Sequence, residues 1–205
     1  MKIIDVSSNQ GVIDWPAVAQ DGVTDVIIRL SLGYADVDKA ASKNSQEAAK
    51  AGIRVSYYHF AYPDRRTGTA EGDAKQEAQY FAGMAHGGAY PPPRWLAVDL
   101  EPWGNQKDTP LNRQEFLFWV KTFIQEVTAL TGVVPFIYSY APYLNAKLPA
   151  DHGLGLVPLW VANYGKVATP PLPLGWDRYF MWQYSSDGAV EGISTAVDLN
   201  KLARE

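Results

Sequence analysis

The feature that most constrains the fold of this chain is the alternation of short apolar segments with helical segments over its first two thirds. Several apolar segments are nearly continuous, which is typical of parallel strands buried on both faces. Strand–helix alternation of this kind predicts parallel βα units. The predicted strands cover residues 2–6, 25–30, 54–60, 95–99, 135–139, 159–162 and 179–183, followed by a last short strand that ends at Asp198.

The helices predicted between these strands have recognisable ends. Asn112 can cap the clearest helix, and Glu115, three residues later, completes a capping box. Apolar residues then recur at spacings of three and four until Gly132, a typical residue just beyond a helix end. Shorter helices are predicted after Asp14, which can serve as an N-cap, and over residues 42–51.

The number and order of these elements favour a barrel. Eight strands with about five helices predict an α/β fold, an irregular TIM-like (β/α) barrel whose last third has lost its long helices. An open, doubly wound sheet is the alternative arrangement of the same elements. The chain has 205 residues and no long linker, repeat or low-complexity segment, so we predict one domain over residues 1–205.

The composition excludes several classes of protein. Hydrophobic residues make up 47% and charged residues 20% of the chain, which is typical of a globular domain. The chain has no cysteine, which excludes disulfides, thiolate catalysis and cysteine-ligated metals. No apolar run approaches the ~18 residues of a membrane span. The net charge of −4 argues against nucleic acid or a membrane surface as a partner.

Two carboxylates stand at the end of one predicted strand. Asp99 and Glu101 follow the apolar run 95–98 at a spacing of two, which points both side chains to the same face. Pro102 holds Glu101 in an extended conformation. In a parallel barrel this end opens onto the mouth where barrel enzymes hold their catalytic residues. Carboxylates this close shift each other's pKa, which suits acid–base chemistry, although solvated loop acids are the alternative.

Two further acids occupy matching positions. Asp5 follows two isoleucines in the first strand, and Asp198 follows apolar residues in the last. Closing a barrel places its first and last strands side by side. We therefore expect Asp5 and Asp198 to meet Asp99 and Glu101 at one mouth, which favours a functional site over coincidence.

Aromatic and amide side chains follow several other strands. As a set around an acidic mouth they are typical of a sugar-binding groove, which uses rings for stacking and amides for hydrogen bonds. His59 is predicted to be a hydrogen-bonded core residue, whereas His86 and His152 are expected at the surface. The aromatic and amide residues lie in segments 58–60, 138–140, 160–164 and 182–184.

Short motifs follow one another in a fixed order along almost the whole chain. They are Asp5-Val6-Ser7-Ser8-Asn9-Gln10-Gly11 with Ile13-Asp14-Trp15, Tyr58-His59-Phe60, Val98-Asp99-Leu100-Glu101, Leu159-Trp160-Val161-Ala162, Trp182-Gln183-Tyr184, and Gly192-Ile193 with Val197-Asp198-Leu199-Asn200. In order and spacing these motifs resemble the family 25 glycoside hydrolases, the bacterial and phage muramidases. One departure is that many members carry His-Trp where this chain has Ser8 and Asn9, which removes an aromatic residue near the mouth.

The resemblance implies a flattened barrel and hydrolysis of the β-1,4 bond between N-acetylmuramic acid and N-acetylglucosamine in peptidoglycan. It implies that Glu101 is the proton donor and general acid/base, and that Asp99 is the assisting carboxylate. Asp5 and Asp198 then take supporting acidic positions. We expect no cofactor, no metal, no separate wall-binding domain and a monomeric enzyme acting on bacterial glycan strands. The residues implied to line the sugar site are Tyr58, Tyr138, Trp160 and Gln183.

Two other classes of function remain as alternatives. Four acids at a barrel mouth could coordinate Mg²⁺ or Mn²⁺. Such an enzyme usually adds a Lys or His base at another strand end, where His59 is the only candidate. The other alternative is a sugar-binding barrel without catalysis, but loss of catalysis is expected to remove an acid, and Asp99 and Glu101 are both present.

The amino-terminal segment leads directly into the first predicted strand. Met1 and Lys2 precede apolar strand residues without the apolar segment and cleavage site of a signal peptide. We therefore expect an enzyme that reaches the bacterial cell wall as a phage lysin released at host lysis, or after export by other means.

Overall fold

A closed barrel forms the centre of the computed structural model, which describes residues 1–103 and 108–203. The strands are β1 (Lys2–Val6), β2 (Val23–Leu32), β3 (Asp36–Val37), β4 (Arg54–Phe60), β5 (Leu96–Asp99), β6 (Phe136–Ser139), β7 (Leu159–Ala162), β8 (Met181–Gly188) and β9 (Val197–Leu202). Eight of them run in the order β1-β9-β8-β7-β6-β5-β4-β2, and β1 pairs with β2, so the sheet closes on itself. The predicted barrel is confirmed, and the open doubly wound sheet is wrong.

Strand direction decides which residues meet at the mouth of the barrel. Neighbouring barrel strands are parallel except at β9, which runs antiparallel to both β1 and β8. The parallel strands therefore end at one mouth, and β9 begins there. The short strand β3 pairs antiparallel with the end of β2, outside the closed barrel.

The position of Asp198 in its strand differs from the prediction. The sequence pattern places Asp198 at the end of the last strand, whereas it is the second residue of β9. The alternation of apolar and polar residues continues over 197–200, and pairing with β8 continues as far as Leu202, which extends the strand beyond this acid. Because β9 is antiparallel, its start lies at the mouth, and Asp198 is the direct partner of Asp5 in the ladder.

Helices pack around the outside of the barrel. They are α1 (Trp15–Gln20), α2 (Ala41–Lys50), α3 (Ala70–His86), α4 (Arg113–Thr131) and α5 (Ala141–Lys147). The predicted capping box of α4 is confirmed, because Asn112 Oδ1 accepts hydrogen bonds from the N–H groups of Gln114 and Glu115 and Glu115 Oε2 accepts one from Asn112 N. Gly132 ends this helix at a φ of 72°, in the left-handed region that favours glycine. In the described part of the chain, no helix combines the length and the hydropathy needed to span a membrane.

Side chains alternate between two apolar layers, one inside the barrel and one between the sheet and the helices. In β5, Ala97 belongs to the inner layer and Val98 to the outer layer. The period of two then turns Asp99 inward again. The inner layer consists of Ile3, Ile27, Tyr58, Ala97, Phe136, Tyr138, Trp160, Ala162 and Met181.

Two of the three histidines are buried. His59 is a core residue, as predicted, and His86 is exposed, as predicted. The prediction of a surface position for His152 is wrong, because only 2% of this residue is exposed. Its Nε2 donates to Leu174 O at 2.7 Å, and its ring packs on Trp176 with a centroid distance of 4.6 Å. The loop that contains Leu174 and Trp176 therefore covers His152.

Candidate active site

Four carboxylates line one cavity of about 200 Å³ at the mouth where the parallel strands end. Asp99 is the last residue of β5, Glu101 follows two residues later, Asp5 lies in β1 and Asp198 in β9. All four acids that the sequence singles out therefore come together. Asp5 and Asp99 are buried, whereas Glu101 and Asp198 are partly exposed.

Strand β6 fixes the residue between Asp99 and Glu101. Leu100 N donates to Tyr138 O at 3.0 Å, and Ser139 Oγ donates to Leu100 O at 2.6 Å. Leu100 is thus held at both of its backbone polar groups. The spacing of two then directs Asp99 and Glu101 into the same cavity, as the sequence pattern predicts.

Two amide side chains hold Asp5. Gln183 Nε2 and Asn200 Nδ2 donate to Asp5 Oδ2 at 2.9 and 2.7 Å. Each amide is oriented by a donor on its oxygen. Tyr138 OH donates to Gln183 Oε1 at 2.8 Å, and Trp160 Nε1 donates to Asn200 Oδ1 at 2.8 Å. Because these donors fix the amide oxygens, the N–H groups of both amides face the carboxylate.

Asn200 and Tyr164 belong to this network but are not among the residues implied to line the sugar site, although Tyr164 lies in the aromatic segment 160–164 of the expected groove. Asn200 alternates with Asp198 along β9, and a strand period of two is the signal that would place it on the same face. Tyr164 OH donates to Gln183 Oε1 at 2.6 Å, and 52% of this tyrosine is exposed at the cavity edge. Its position two residues after the end of β7 is the sequence feature that would place it at the mouth of the barrel.

The aromatic residues predicted to line the sugar site do line the cavity, as part of its floor. The rings of Tyr58 and Tyr138 meet Trp160 edge to face, with centroid distances of 6.3 and 4.6 Å. None of these three residues is more than 9% exposed. These three packed rings therefore present only their edges to a bound sugar, whereas the ring of Tyr164 is exposed beside them.

Burial and crowding raise the pKa of each carboxyl in the cavity. Removal from water, followed by the charge of Asp198, raises the pKa of Asp5 to about 8. Burial, followed by the charges of Glu101 and Asp5, raises the pKa of Asp99 well above its usual range. Burial and then Asp198 raise the pKa of Glu101 to about 7, and burial raises the pKa of Asp198 to about 6. The site therefore retains protons near neutral pH.

Arg29 is a cavity residue that the sequence pattern does not predict. It lies in β2 and lines the cavity, and its charge lowers the pKa of Asp99 and of Glu101 against the larger effect of burial. Asp38 Oδ2 accepts a hydrogen bond from Arg29 Nε at 2.8 Å. The sequence feature that could have indicated its role is its position as the one charged residue in the otherwise apolar run 26–30.

Two carboxylates of α3 hold the loop that follows β4. Glu77 Oε2 accepts hydrogen bonds from Tyr62 N at 3.1 Å and from His59 Nε2 at 2.8 Å. Asp73 Oδ2 accepts one from Asp64 N at 3.2 Å. Both acids are fully buried. Their spacing of four, on the buried face of a helix, is a signal that they serve a shared structural purpose.

Side chains that hold a metal ion must be grouped around one point. Across residues 1–103 and 108–203, no three or more His, Asp or Glu side chains are placed to hold a metal ion. The four acids share one cavity but are not such a group.

Comparisons with known proteins agree on one family. The model of the family described as Glycosyl hydrolases family 25 matches residues 4–193. The chain is 33% identical over 205 residues to Lysozyme M1 of Streptomyces globisporus, covering 97% of this chain and 66% of that protein. It is 28% identical over 212 residues to an N,O-diacetylmuramidase of Chalaropsis sp, covering 97% of each. The crystal structure of the bacterial lysozyme from Streptomyces coelicolor matches with a TM-score of 0.86 at 29% identity, over 98% of this chain and 91% of that one.

Proposed function

This chain belongs to family 25 of the glycosyl hydrolases, and from that premise we propose that it cleaves the β-1,4 bond between N-acetylmuramic acid and N-acetylglucosamine in bacterial peptidoglycan. The observation that carries the proposal is the pair Asp99 and Glu101, held by β6 and facing one cavity. The names lysozyme and muramidase of two relatives support it. The chain spans about two thirds of the first relative's length.

Glu101 is the proposed general acid. Burial and the charge of Asp198 raise its pKa to about 7, so roughly half of the Glu101 side chains carry a proton at neutral pH. A general acid must hold its proton in the resting enzyme and release it in the transition state. Cleavage is therefore expected to decline as the pH rises through about 7.

Asp99 is the proposed assisting carboxylate. It leaves the same strand end as Glu101, with Cα atoms ~6.6 Å apart at the usual rise per residue, so both acids approach a bound sugar from one side. A direct nucleophile or a general base must stand on the face opposite the leaving group. This placement favours a route in which the substrate supplies its own nucleophile.

The proposed reaction has two steps. The oxygen of the 2-acetamido group attacks the anomeric carbon, the glycosidic bond breaks, and the Glu101 proton passes to the leaving oxygen. Asp99, as a carboxylate, orients the acetamido group and stabilises its positive charge. Water then attacks the anomeric carbon, the bond between this carbon and the acetamido oxygen breaks, and the water proton passes to Glu101. This restores the enzyme and gives net retention of configuration. Asp5 and Asp198 support the pair through their charges.

Mass spectrometry of fragments released from purified peptidoglycan tests the bond assignment, because a new muramic acid reducing end identifies the bond that was cut. NMR of the first-formed anomer, on N-acetylated and N-deacetylated glycans in parallel, tests the route. We expect retention and cleavage only beside N-acetylated muramic acid. An inverted product, or undiminished cleavage beside a deacetylated residue, would contradict the route.

EDTA separates this proposal from a metal-dependent enzyme with the same acids. We expect cleavage to be unchanged in EDTA, whereas a Mg²⁺ or Mn²⁺ enzyme would lose activity. We further propose that the enzyme acts as a monomer on the bacterial cell wall, after release at host lysis or export.

A further inference from the structure

A cationic and aromatic surface adjoins the cavity on the side of β2 and β4. We call it the rim site and define it by Tyr34, Tyr62 and Arg66. The guanidinium carbon of Arg66 lies 5.5 Å from the ring centroid of Tyr34 and 5.7 Å from that of Tyr62, within the range of cation–π contacts. Tyr34 is 40% exposed and the Arg66 side chain 37%, so both are accessible to a ligand.

Packing fixes Tyr62 at the centre of the rim site. Its ring centroid lies 5.5 Å from that of Phe60 and 4.9 Å from that of Trp103. The ring also rests on the backbone of Gly33, where an added Cβ would stand 2.7 Å from Tyr62 Cδ2. Glu77 Oε2 accepts a hydrogen bond from Tyr62 N. The surface is therefore ordered before a ligand arrives, which lowers the entropic cost of binding.

Asp64 orients Arg66 without occupying all of its donors. Arg66 Nε and Nη2 lie 2.7 and 2.6 Å from Asp64 Oδ2. Toward the residues that the structure describes, Arg66 Nη1 donates no hydrogen bond. A guanidinium has five N–H donors in a planar fork, so an edge of Arg66 is left for an acceptor on a ligand.

The charges at the mouth are divided between two sides. The cavity floor holds four carboxylates, and Arg29 lines the same cavity. Burial raises the pKa of Tyr62, and the charge of Arg29 offsets part of that rise, so Arg29 acts on both the cavity and the rim site. Arg66 is a second arginine on this side, and each of the two is paired with one aspartate, Asp38 for Arg29 and Asp64 for Arg66. An anionic substituent on a ligand in the cavity can therefore reach hydrogen-bond donors on the edge of Arg66 that Asp64 does not occupy. Phe60 lines the cavity and packs on Tyr62, so the two surfaces are continuous.

We propose that the rim site binds a carboxylate of the peptide stem that peptidoglycan carries on its muramic acid. This inference rests on the proposed function, because that function brings muramic acid into the cavity. The stem is joined to the same sugar as the bond to be cut, so each cleavage presents an acidic peptide at the mouth. A carboxylate matches the planar donor edge of Arg66, and the two tyrosine rings provide contact area for the peptide.

The test uses soluble, uncrosslinked glycan strands with intact stems, and the same strands after carbodiimide amidation of the stem carboxylates. We expect amidation to raise the KM of the wild-type chain roughly fivefold, the effect of about 1 kcal/mol from an exposed ion pair, with kcat little changed. Arg66→Gln is expected to show the higher KM on both substrates. Arg65→Gln is the matched control, because Arg65 pairs with Glu115 instead of the rim tyrosines, and it should behave as the wild type.

Each outcome decides one claim. A wild-type chain that cleaves both substrates with equal KM, or an Arg66→Gln variant that keeps the full response to amidation, overturns the rim site alone. An Arg65→Gln variant with the same loss as Arg66→Gln would mean a general charge effect and would also overturn it. A wild-type chain that releases no muramic acid reducing ends overturns the proposed function, and the rim site with it.

Discussion

Asp99 is a residue at which stability and the proposed chemistry oppose each other. Its carboxyl is buried, and its Oδ1 has no hydrogen-bond partner among the described residues. Burial and the charges of Glu101 and Asp5 raise its pKa, so ionising Asp99 in the folded chain costs free energy. The proposed reaction nevertheless needs this carboxylate in its charged form when substrate is bound.

We expect Asp99→Asn to raise the melting temperature at pH 8 by a few degrees, because the amide removes, at almost constant shape, a carboxyl whose raised pKa lowers stability at that pH. Cleavage of peptidoglycan should fall by about 100-fold or more, since charge stabilisation in the transition state is lost. Calorimetry and release of reducing ends measure the two effects. Asp177→Asn, at an exposed aspartate, is the control and should change neither. A folded Asp99→Asn chain with a lower melting temperature at pH 8 would contradict this explanation.

Site residues could be predicted from the sequence where a local pattern marks them. Asp5 and Asp99 each follow an apolar run inside a strand, and Glu101, two residues after Asp99, is predicted to point to the same face. Arg29 and Glu77 could not be predicted in the same way. Their patterns place them in the core, and only partners from distant segments, such as Asp38 for Arg29, explain how a buried charge is tolerated there.

At the scale of elements, the same distinction between local and distant signals holds. Helix α4 and strand β5 lie within a few residues of their predicted bounds, because capping residues and apolar runs are local signals. Strand β9 has no clear end in the sequence, since its length depends on pairing with β1 and β8 rather than on an apolar run of its own. The two-residue strand β3 has no sequence signal of sufficient length.

Helix α3 acts on the site through the loop after β4, and Glu77 tests this connection. Glu77→Met removes the acceptor of Tyr62 N and His59 Nε2, leaving buried donors unpaired at a cost of ~1–3 kcal/mol each. We expect a clearly lower melting temperature and, at temperatures where the variant is folded, a lower kcat. Glu77→Gln keeps one acceptor oxygen and should recover part of both losses. Equal melting temperatures for the two variants would show that the hydrogen bonds are unimportant.

At the scale of the whole molecule, the raised carboxyl pKa values predict how stability depends on pH. The pKa is raised to about 8 for Asp5, about 7 for Glu101 and Asp73, and about 6 for Asp198. Each ordinary value is near 4, so from pH 4 to 8 the folded chain binds more protons than the unfolded chain. The stability linked to these groups is complete below about pH 4 and is lost as the pH rises through the folded values.

We therefore expect the melting temperature to be several degrees higher at pH 5 than at pH 8. Calorimetry across this range measures the trend, and Asp99→Asn should show a shallower dependence because one titrating group is gone. A melting temperature that is constant or increases from pH 5 to pH 8 would contradict the raised pKa values.

Glu101 is proposed to donate the proton to the glycosidic oxygen. Comparing Glu101→Gln with the wild type in the release of muramic acid reducing ends from purified peptidoglycan tests this role. Glutamine has nearly the same shape but no acidic proton. We expect a variant with wild-type circular dichroism and a rate lower by roughly 10²–10⁴. Glu71→Gln, at an exposed glutamate on α3, should keep the wild-type rate. A folded Glu101→Gln chain that cleaves at nearly the wild-type rate would contradict the claim.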